Sequence, residues 1–387
     1  MEYKGYTIDI LLNNSLVEMI PSEFSFSMTD DILSFFSKLN FQIKDISGLL
    51  LEHLALTPGE KVDITFGQGA ELIQNPYISR SFENEDTFSP GFLNGLISMN
   101  GIHEYASLQT KESYAFDGSP SGIVEEVTSE FPFSESKIDS SENNHVWYRP
   151  FYTQRELIEN VLLENVYSNN SNNTPFFAFI DSNNTFHFES FYTLFEQTPT
   201  MDLDYAPGEY GENAFNRIID LKPFSEDYLT LQKNLTNKFF RRNNLDFEFT
   251  EEDKHITDLY PGDYLVSQET SLITDYKYFG RTDQSVYEND VLGQELFKMR
   301  NSFLTNKIFV LLPLNANLTS GKTVNVNTST SIGRNDSSLS YSGKFLIEKS
   351  THTWNGDSQN GFSQLVLSRK NKELPSNYLI KDRLYKP

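Results

Sequence analysis

Acidic side chains are the ones in this chain whose spacing could support chemistry. Asp202 and Asp204 lie two residues apart, and Glu251, Glu252 and Asp253 form a run of three. Paired carboxylates can bind a divalent cation or divide general acid and base work between them. Neither group has a histidine at ligand spacing or the glycine-centred spacing of a calcium loop beside it. We therefore interpret both groups as solvated loop charges.

Histidine and cysteine offer little further chemistry. The chain has no cysteine, which excludes disulfides, thiolate catalysis and cysteine metal ligands. Its six histidines are scattered without helical ligand spacing, so we expect no structural zinc site. His187 lies between two phenylalanines and His352 lies two residues before Trp354, and we interpret both as packed or hydrogen-bonded histidines. The sequence thus predicts no catalytic, cofactor-binding or metal-binding residue.

Other motifs are equally weak. Gly67 and Gly69 lack the following helix and acidic partner of a nucleotide site, and no Gly-x-Ser-x-Gly is present. Trp147 and Tyr148 could form a sugar-binding platform, although core or interface anchors are the commoner role of such residues. Asn-x-Ser/Thr sequons, such as the one at Asn183, are interpreted as parts of polar loops.

The net charge of −23, with an isoelectric point near 4.6, sets the electrostatic class of the protein. Such a chain does not hold nucleic acid by neutralising phosphates, although an acidic wall would repel passing DNA and let it slide. Solubility is the simpler role of this charge. The longest apolar run, 308–314, is too short to cross a bilayer, and no signal peptide pattern opens the sequence. We expect a soluble protein made in a cytoplasm.

Strands are favoured in the N-terminal part, because aromatic residues make up 14% of the chain and apolar residues alternate along it. Residues 67–90 are predicted to be irregular. A strand pair, 97–99 and 105–111, is predicted around a hairpin turn that contains Asn100 and Gly101. The alternating segments that predict strands are 6–10, 24–28, 41–44 and 61–66.

The middle of the chain is predicted to contain helices and one hairpin. Ser119 can cap a helix with Pro120 in its first turn. Thr153 forms a capping box with Glu156, and apolar stripes follow both caps. The segment 176–189 is predicted to be a β-hairpin, since two aromatic runs flank a turn of Asp, Ser and Asn.

From about residue 200 the chain returns to strand patterns. Helices are predicted at 226–242 and 288–301, and the polar tail 371–387 is predicted to be an arm or a loosely docked end. The predicted strands are 308–312, 323–326, 344–348 and 362–368.

Two short matches suggest an internal repeat. The strand after Gly59 is similar to the strand after Gly321, and residues 105–111 are similar to 362–368. Such matches would make the N- and C-terminal parts two copies of one β-barrel domain that flank an α/β segment. Short alternating segments also match by chance, so both alternatives stay open.

Short motifs follow one another through nearly the whole chain. The motifs 45–52 and 59–66 come first, and a strand-to-helix passage at 114–126 follows them. The aromatic run 147–151, the capped helix and the hairpin 176–188 come next, and a segment at 300–352 is last. This order resembles the tail hub of contractile injection machines, a family that includes phage baseplate hubs and the core of type VI secretion spike proteins. The phage branch is the better match, because no needle repeats follow the second barrel-like segment.

The resemblance implies a mainly β fold, in which two similar tail-tube-like antiparallel β-barrels are joined by an α/β domain. The expected divisions are 1–117 for the first barrel, 118–200 for the middle domain, 201–370 for the second barrel with helical insertions, and 371–387 for a C-terminal arm.

The resemblance also implies a structural, non-enzymatic role in the virion. Family hubs are homotrimers that form a pseudo-six-fold adapter between the hexameric tail tube and the trimeric central spike, with an acidic channel for DNA. The expected partners are the spike, the tail tube or its initiator, the baseplate wedge and the tape measure protein, without a cofactor or membrane insertion. A carbohydrate-binding or adhesin-like tail protein is the alternative. No lumen or trimer-interface residue is predicted.

Overall fold

The structure of the protein, a computed structural model, describes the chain in separate stretches. These are residues 2–3, 6–12, 15–16, 23–44, 61–68, 77–84, 89–91, 96–106, 109–142, 144–168, 174–205, 215–224, 236–242, 249–255, 293, 296–297, 300, 304, 306–328 and 341–369. The predictions for 45–60, for the start of the helix at 226–242 and for the tail 371–387 lie outside these residues.

Strands form in the N-terminal part because apolar and polar side chains alternate along them. Along β4, buried Phe24, Phe26 and Met28 alternate with half-exposed neighbours, and buried Leu39 and Phe41 do the same in β5. The strands are β1 (Glu2–Tyr3), β2 (Tyr6–Leu12), β3 (Ser15–Leu16), β4 (Phe24–Asp31), β5 (Lys38–Lys44), β6 (Lys61–Gln68), β7 (Tyr77–Asn84), β8 (Ser89–Gly91) and β9 (Leu96–His103).

Two N-terminal predictions are wrong. The region 67–90 is not irregular throughout, because β7 pairs antiparallel with β6. The hairpin turn at Asn100 and Gly101 does not form, because β9 runs straight through both residues in register with β5. The hydrogen bonds of the continuous ladder pair the backbone N–H and C=O groups of this segment. This pairing outweighs the local preference of Asn and Gly for a turn. Tyr105 then lies in a short 3-10 helix, Glu104–Ala106, instead of a second strand.

The middle region combines short helices with the predicted hairpin. Ser119 caps helix α1 by accepting from the Gly122 N–H, and the capping box of Thr153 and Glu156 begins helix α2. A π-helical turn, Ile158–Leu162, continues α2. The elements are β10 (Glu112–Gly118), α1 (Pro120–Thr128), β11 (Glu135–Ile138), β12 (His145–Tyr152), α2 (Gln154–Leu157), β13 (Phe176–Ile180), β14 (Thr185–Ser190) and α3 (Phe191–Glu196).

The C-terminal part is again built from strands. The prediction of a helix at 226–242 is wrong for its last seven residues. Thr236–Arg242 is a strand, and it pairs antiparallel with Phe249–His255. Of the helix predicted at 288–301, the described residues 293 and 296–297 are helical. The strands are β15 (Asp202–Tyr205), β16 (Asp220–Phe224), β17 (Thr236–Arg242), β18 (Phe249–His255), β19 (Asn306–Pro313), β20 (Thr323–Thr328), β21 (Gly343–Asn355) and β22 (Asn360–Arg369).

Fifteen of the described strands belong to one sheet, which joins the N-terminal and C-terminal parts. Its main path is β1-β2-β6-β7-β9-β5-β4-β21-β22-β19-β16, with β20 and β15 continuing from β21 on a side branch. The junction is the antiparallel pairing of β4 with β21. The first motif of the suggested repeat forms a strand in both copies, β6 and β20. The second motif differs between the copies, because Tyr105 lies in a 3-10 helix whereas its counterpart, Phe362, lies in strand β22.

Four apolar clusters form the core. The first fills the N-terminal strands and includes Trp354 from β21; the second packs α1 and α2 against the middle hairpin; the third fills the C-terminal strands. The fourth joins side chains from all three regions, among them Ile32, Phe179 and Leu346. In the part of the chain that the structure describes, no helix is long and apolar enough to cross a membrane.

Candidate functional site

Strand β21 changes its partner at Glu348. Residues 343–346 pair with β20 and residues 349–354 pair with β4, while β22 runs along the other edge of β21. The register with β22 shifts between Ile347 and Lys349, so Glu348 is the additional residue of a β-bulge. The Ile32 N–H donates to the Glu348 carbonyl over 3.0 Å, and the Ile347 N–H donates to the Lys322 carbonyl over 2.8 Å. The bulge therefore fixes the point where the two β regions meet.

A buried ion pair lies at this bulge. The Lys307 Nζ is 2.9 Å from the Glu348 Oε1, and the two side chains are only 7% and 8% exposed. Burial raises the pKa of the Glu348 carboxyl, and Lys307 opposes that rise. Both charges are removed from water, and each is compensated by the other. Replacing either residue would leave the other charge buried without compensation and would destabilise the fold. The pair holds β19 to β21 at the bulge.

Both faces of the middle hairpin are buried. The face that carries His187 and Glu189 meets the junction of β4 and β21. Every residue of β13 and β14 is buried. Phe186 and Phe188 pack into the second cluster, while Phe177 and Phe179 pack into the fourth. The Ile180 N–H donates to the Phe35 carbonyl over 3.2 Å. The hairpin is thus the layer between the helical middle region and the sheet.

His187 lies on the polar face of the hairpin between two carboxylates. Its Nδ1 is 2.5 Å from the Glu189 Oε2, and its Nε2 is 3.2 Å from the Asp181 Oδ2. The ring stacks on Phe179 at a centroid distance of 4.5 Å and an angle of 3°. Burial alone would lower the pKa of His187, but the bonds to Asp181 and Glu189 raise it overall. The site therefore favours the charged form of the ring, which lies between two carboxyl groups inside the core.

Lys322 and Gly321 bring β20 up to this group. Burial lowers the pKa of Lys322, and the nearby Asp181 opposes that change. Gly321 has a φ of +82°, and an added Cβ would lie 2.5 Å from the Phe179 ring. Only glycine combines this backbone conformation with so close an approach. On the other side of the hairpin turn, Ser182 donates a hydrogen bond to buried Asp30 of β4.

His352 occupies a different environment in β21. Its side chain is fully buried, its Nδ1 is 2.9 Å from the Ser363 Oγ, and Phe66 packs against it at 5.4 Å. Burial lowers the pKa of His352 to about 3. The ring is therefore neutral at neutral pH. The prediction that His187 and His352 are packed or hydrogen-bonded is confirmed for both.

The acidic pairs and the aromatic platform take other positions. Asp202 and Asp204 are exposed, as predicted, but they lie in strand β15, where they accept hydrogen bonds from Asn325 and Asn327. Strand pairing with β20 gives this segment its extended form, so the loop interpretation is wrong. Trp147 is buried, 7% exposed, and so does not form an open platform.

The remaining predicted positions add no ligand set. Glu251, Glu252 and Asp253 lie in strand β18 instead of a loop. Gly67 lies inside β6, away from any nucleotide-binding turn. Among the described residues, no group of three or more His, Asp or Glu side chains could hold a metal ion.

Asp181 and Glu189 were not predicted as partners of His187, although part of the signal was present. Residues two apart in a strand share a face, so His187 and Glu189 must lie side by side in β14. Asp181 opens the hairpin turn, where its Oδ1 accepts from the N–H groups of Asn183 and Thr185. The pair of Lys307 and Glu348 had no such local signal.

No family model matches this chain, and no curated protein matches it. The fold, in contrast, is similar to several solved structures.

Two tail proteins match over nearly their whole length. A tail protein from Neisseria meningitidis MC58 has a TM-score of 0.59 at 10% identity, with 94% of this chain and 97% of that chain covered. The 43 kDa tail protein of prophage MuSo2 from Shewanella oneidensis has a TM-score of 0.58 at 11% identity, with 95% and 99% covered. A chain of the lidded Francisella PdpA–VgrG complex has a TM-score of 0.52 at 13% identity, with 95% and 53% covered.

At these identities the similarity concerns the fold. The mainly β, antiparallel fold that the resemblance to tail hubs implies is confirmed, and the two-barrel arrangement with its domain boundaries stays a prediction. This chain has the fold of tail proteins, one of which a prophage encodes.

Proposed function

We propose that the chain is the structural hub of a contractile-tail baseplate. The observation that carries this proposal is the match to the two tail proteins. The match covers nearly the whole of this chain and nearly the whole of each of theirs. The match to a chain of a VgrG complex supports the same role beside a central spike. The hub is structural and not enzymatic, and it resides in the virion.

The hub acts as a homotrimer that adapts a six-fold tube to a three-fold spike. The continuous sheet supports this role, because β21 joins an N-terminal and a C-terminal β region within one chain. Three such chains would present six β regions around an axis. Within the described residues, the main path of the sheet ends at β1 and β16. A ring of subunits would cover such edges, which otherwise invite aggregation.

The charge of the chain is consistent with a channel for DNA. A net charge of −23 repels a polyanion, so an acidic ring would let DNA pass without holding it. Besides the spike, the partners are the tail tube or its initiator, the wedge proteins and the tape measure protein.

Native mass spectrometry of the purified chain, alone and with the spike protein from the same tail gene set, tests the proposal. We expect either a trimer of three 44.5 kDa chains or a three-to-three complex with the spike. A monomer that also fails to bind the spike would overturn the hub assignment. A glycan-binding assay would then test the adhesin-like alternative.

A further inference from the structure

The β10–β12 ribbon carries most of the exposed large apolar side chains in the described residues. Six such side chains are exposed, and four of them lie on this two-stranded sheet. Single exposed apolar residues are common on protein surfaces, but a group of them marks an interaction site. The four are Tyr114 (59% exposed), Val146 (52%), Tyr148 (46%) and Phe151 (66%).

The ribbon is firmly anchored through its inner face. Phe116 and Trp147 pair across the two strands and are buried, and the Trp147 Nε1 donates to the Gly118 carbonyl over 2.9 Å. Arg149 is 4% exposed and donates to the carbonyls of Tyr152 and Thr110 over 2.6 and 2.5 Å. Val146 and Tyr148 lie on the opposite face of this anchored ribbon. Tyr114 pairs with Arg149 and so shares the face of Phe116, whose ring it contacts at a centroid distance of 4.8 Å.

Phe151 has a backbone conformation that is unfavourable for a phenylalanine. Its φ is +51°, which is rare for a bulky residue, and its N–H donates to the Ser113 Oγ over 3.1 Å. A strained backbone persists where the surrounding contacts enforce it, and such residues concentrate at functional sites. Here the strain presents the most exposed aromatic ring of the ribbon.

Carboxylates outnumber the basic side chains around the ribbon. Strands β10 and β12 and helix α1, which packs on β10, carry four exposed carboxylates. Buried Arg149 lies 3.6 Å from one of them, Glu112, and the exposed Lys111 directly precedes β10. An acidic surface with an apolar centre fits a partner with the opposite charge pattern. A second copy that docks through its own ribbon does not fit, because it would place the same carboxylates against these. The four carboxylates are Glu112, Asp117, Glu125 and Glu126.

We propose that the β10–β12 ribbon is the docking surface for a different tail protein, which contributes an apolar segment bordered by lysine and arginine. Both strands of the ribbon have only each other as sheet partners among the described residues, so the segment can add along an edge and cover the aromatic side chains. This inference rests on the proposed hub function, since it names a contact within the tail.

Photo-cross-linking in assembled tail particles tests the docking surface. A benzoylphenylalanine is placed at Phe151 or Tyr148 in the full chain, and the particles are produced from the complete tail gene set. Tyr192 and Ile219, which are 44% and 51% exposed and lie outside the ribbon, are the control positions. Mass spectrometry then identifies the linked peptides.

We expect both ribbon positions to link to one tail protein through a peptide in which lysine and arginine outnumber the acids. The control positions should not give that peptide. A link to a second copy of the chain, a link to a neutral or acidic peptide or to a glycan, or no link at all would overturn the inference. If the chain is present in the particles but the ribbon does not link, only the docking proposal fails. If the chain is absent from the particles, the hub function fails with it.

Charge reversal sharpens the test. The double variant Glu125→Lys and Glu126→Lys changes two exposed residues of α1, whose buried residues are other ones. With Phe151 as the cross-linking position, we expect at least a five-fold lower yield, and a similar loss when 0.5 M salt is added to the native chain. An unchanged yield, with the variant incorporated into particles as the native chain is, would show that charge does not select the partner.

Discussion

His187 in the middle hairpin and His352 in the shared strand β21 are both buried, yet their pKa values move in opposite directions. Burial lowers the pKa of His352 to about 3, because its near neighbours are a serine hydroxyl and a phenylalanine ring. The same effect acts on His187, but two carboxylates within 3.2 Å reverse it. The comparison shows that the neighbours of a buried histidine decide its charge.

Lys322 is close enough to influence both sites. Asp181 raises the pKa of Lys322 against the effect of burial, and Lys322 in turn lowers the pKa of His352. The hairpin carboxylates thus have a basic side chain beside them. Burial is the main cause of the lowered pKa of His352, and Lys322 adds to it. The two regions of the junction therefore respond to pH in opposite senses.

The largest expected effect is acid destabilisation through His352. In the unfolded chain this histidine binds a proton below a pKa of about 6.5, but in the folded chain only below about 3. Its contribution is therefore complete above pH 6.5 and is lost as the pH falls toward 3. The difference corresponds to about 5 kcal/mol, at about 1.4 kcal/mol per pH unit.

Urea unfolding of the native chain and of His352→Gln between pH 7 and pH 4 measures this effect. Carboxylates titrate in both proteins and cancel in the difference, so the advantage of the native chain should shrink with each unit of acidification. His145→Gln, at a half-buried position, is the control for the substitution itself. Parallel curves for the native chain and His352→Gln would contradict the prediction.

Removal of the hairpin histidine is expected to have the next largest effect. His187→Leu removes the ring that lies between Glu189 and Asp181, while Glu189 stays buried. Breaking a buried charge pair in this way costs about 3 to 5 kcal/mol at pH 6. His352→Leu is the matched control, and it should cost about 1 to 2 kcal/mol, because it removes hydrogen bonds of a neutral ring and breaks no charge pair. Equal losses in thermal or urea unfolding would show that the two sites do not differ.

Much of the local structure at these sites could be predicted from the sequence. The helix caps at Ser119 and Thr153 and the hairpin at 176–189 formed as predicted, because capping and turn preferences depend on residues a few positions apart. The face shared by His187 and Glu189 also follows from the two-residue period of a strand.

The junction itself could not be predicted in this way. Lys307 and Glu348 are 41 positions apart, and Asp30 is 152 positions from Ser182. Their pairing depends on the register of β21 with its neighbours, which no local pattern records. The same cause made the turn at Asn100 wrong, because the ladder with β5 replaced the local preference.

The smallest expected effect comes from neutralising one carboxylate of the hairpin site. The pKa of His187 is raised in the folded chain, so its stabilisation is present below about pH 6.5 and is lost as the pH rises through the raised pKa. Glu189→Gln keeps the size of the side chain but removes one of the two anions. The pKa of His187 should fall, and the alkaline loss of stability should move to lower pH. At pH 6 we expect a smaller loss of stability than for His187→Leu, because Asp181 still faces the ring.

An NMR titration of the histidine ring carbons measures the change directly. Glu196→Gln, which neutralises an exposed carboxylate of α3, is the control and should leave the His187 titration in place. If Glu189→Gln did not lower the pKa of His187, Asp181 alone would hold the proton. The turn carboxylate, not the strand carboxylate, would then be what distinguishes His187 from His352.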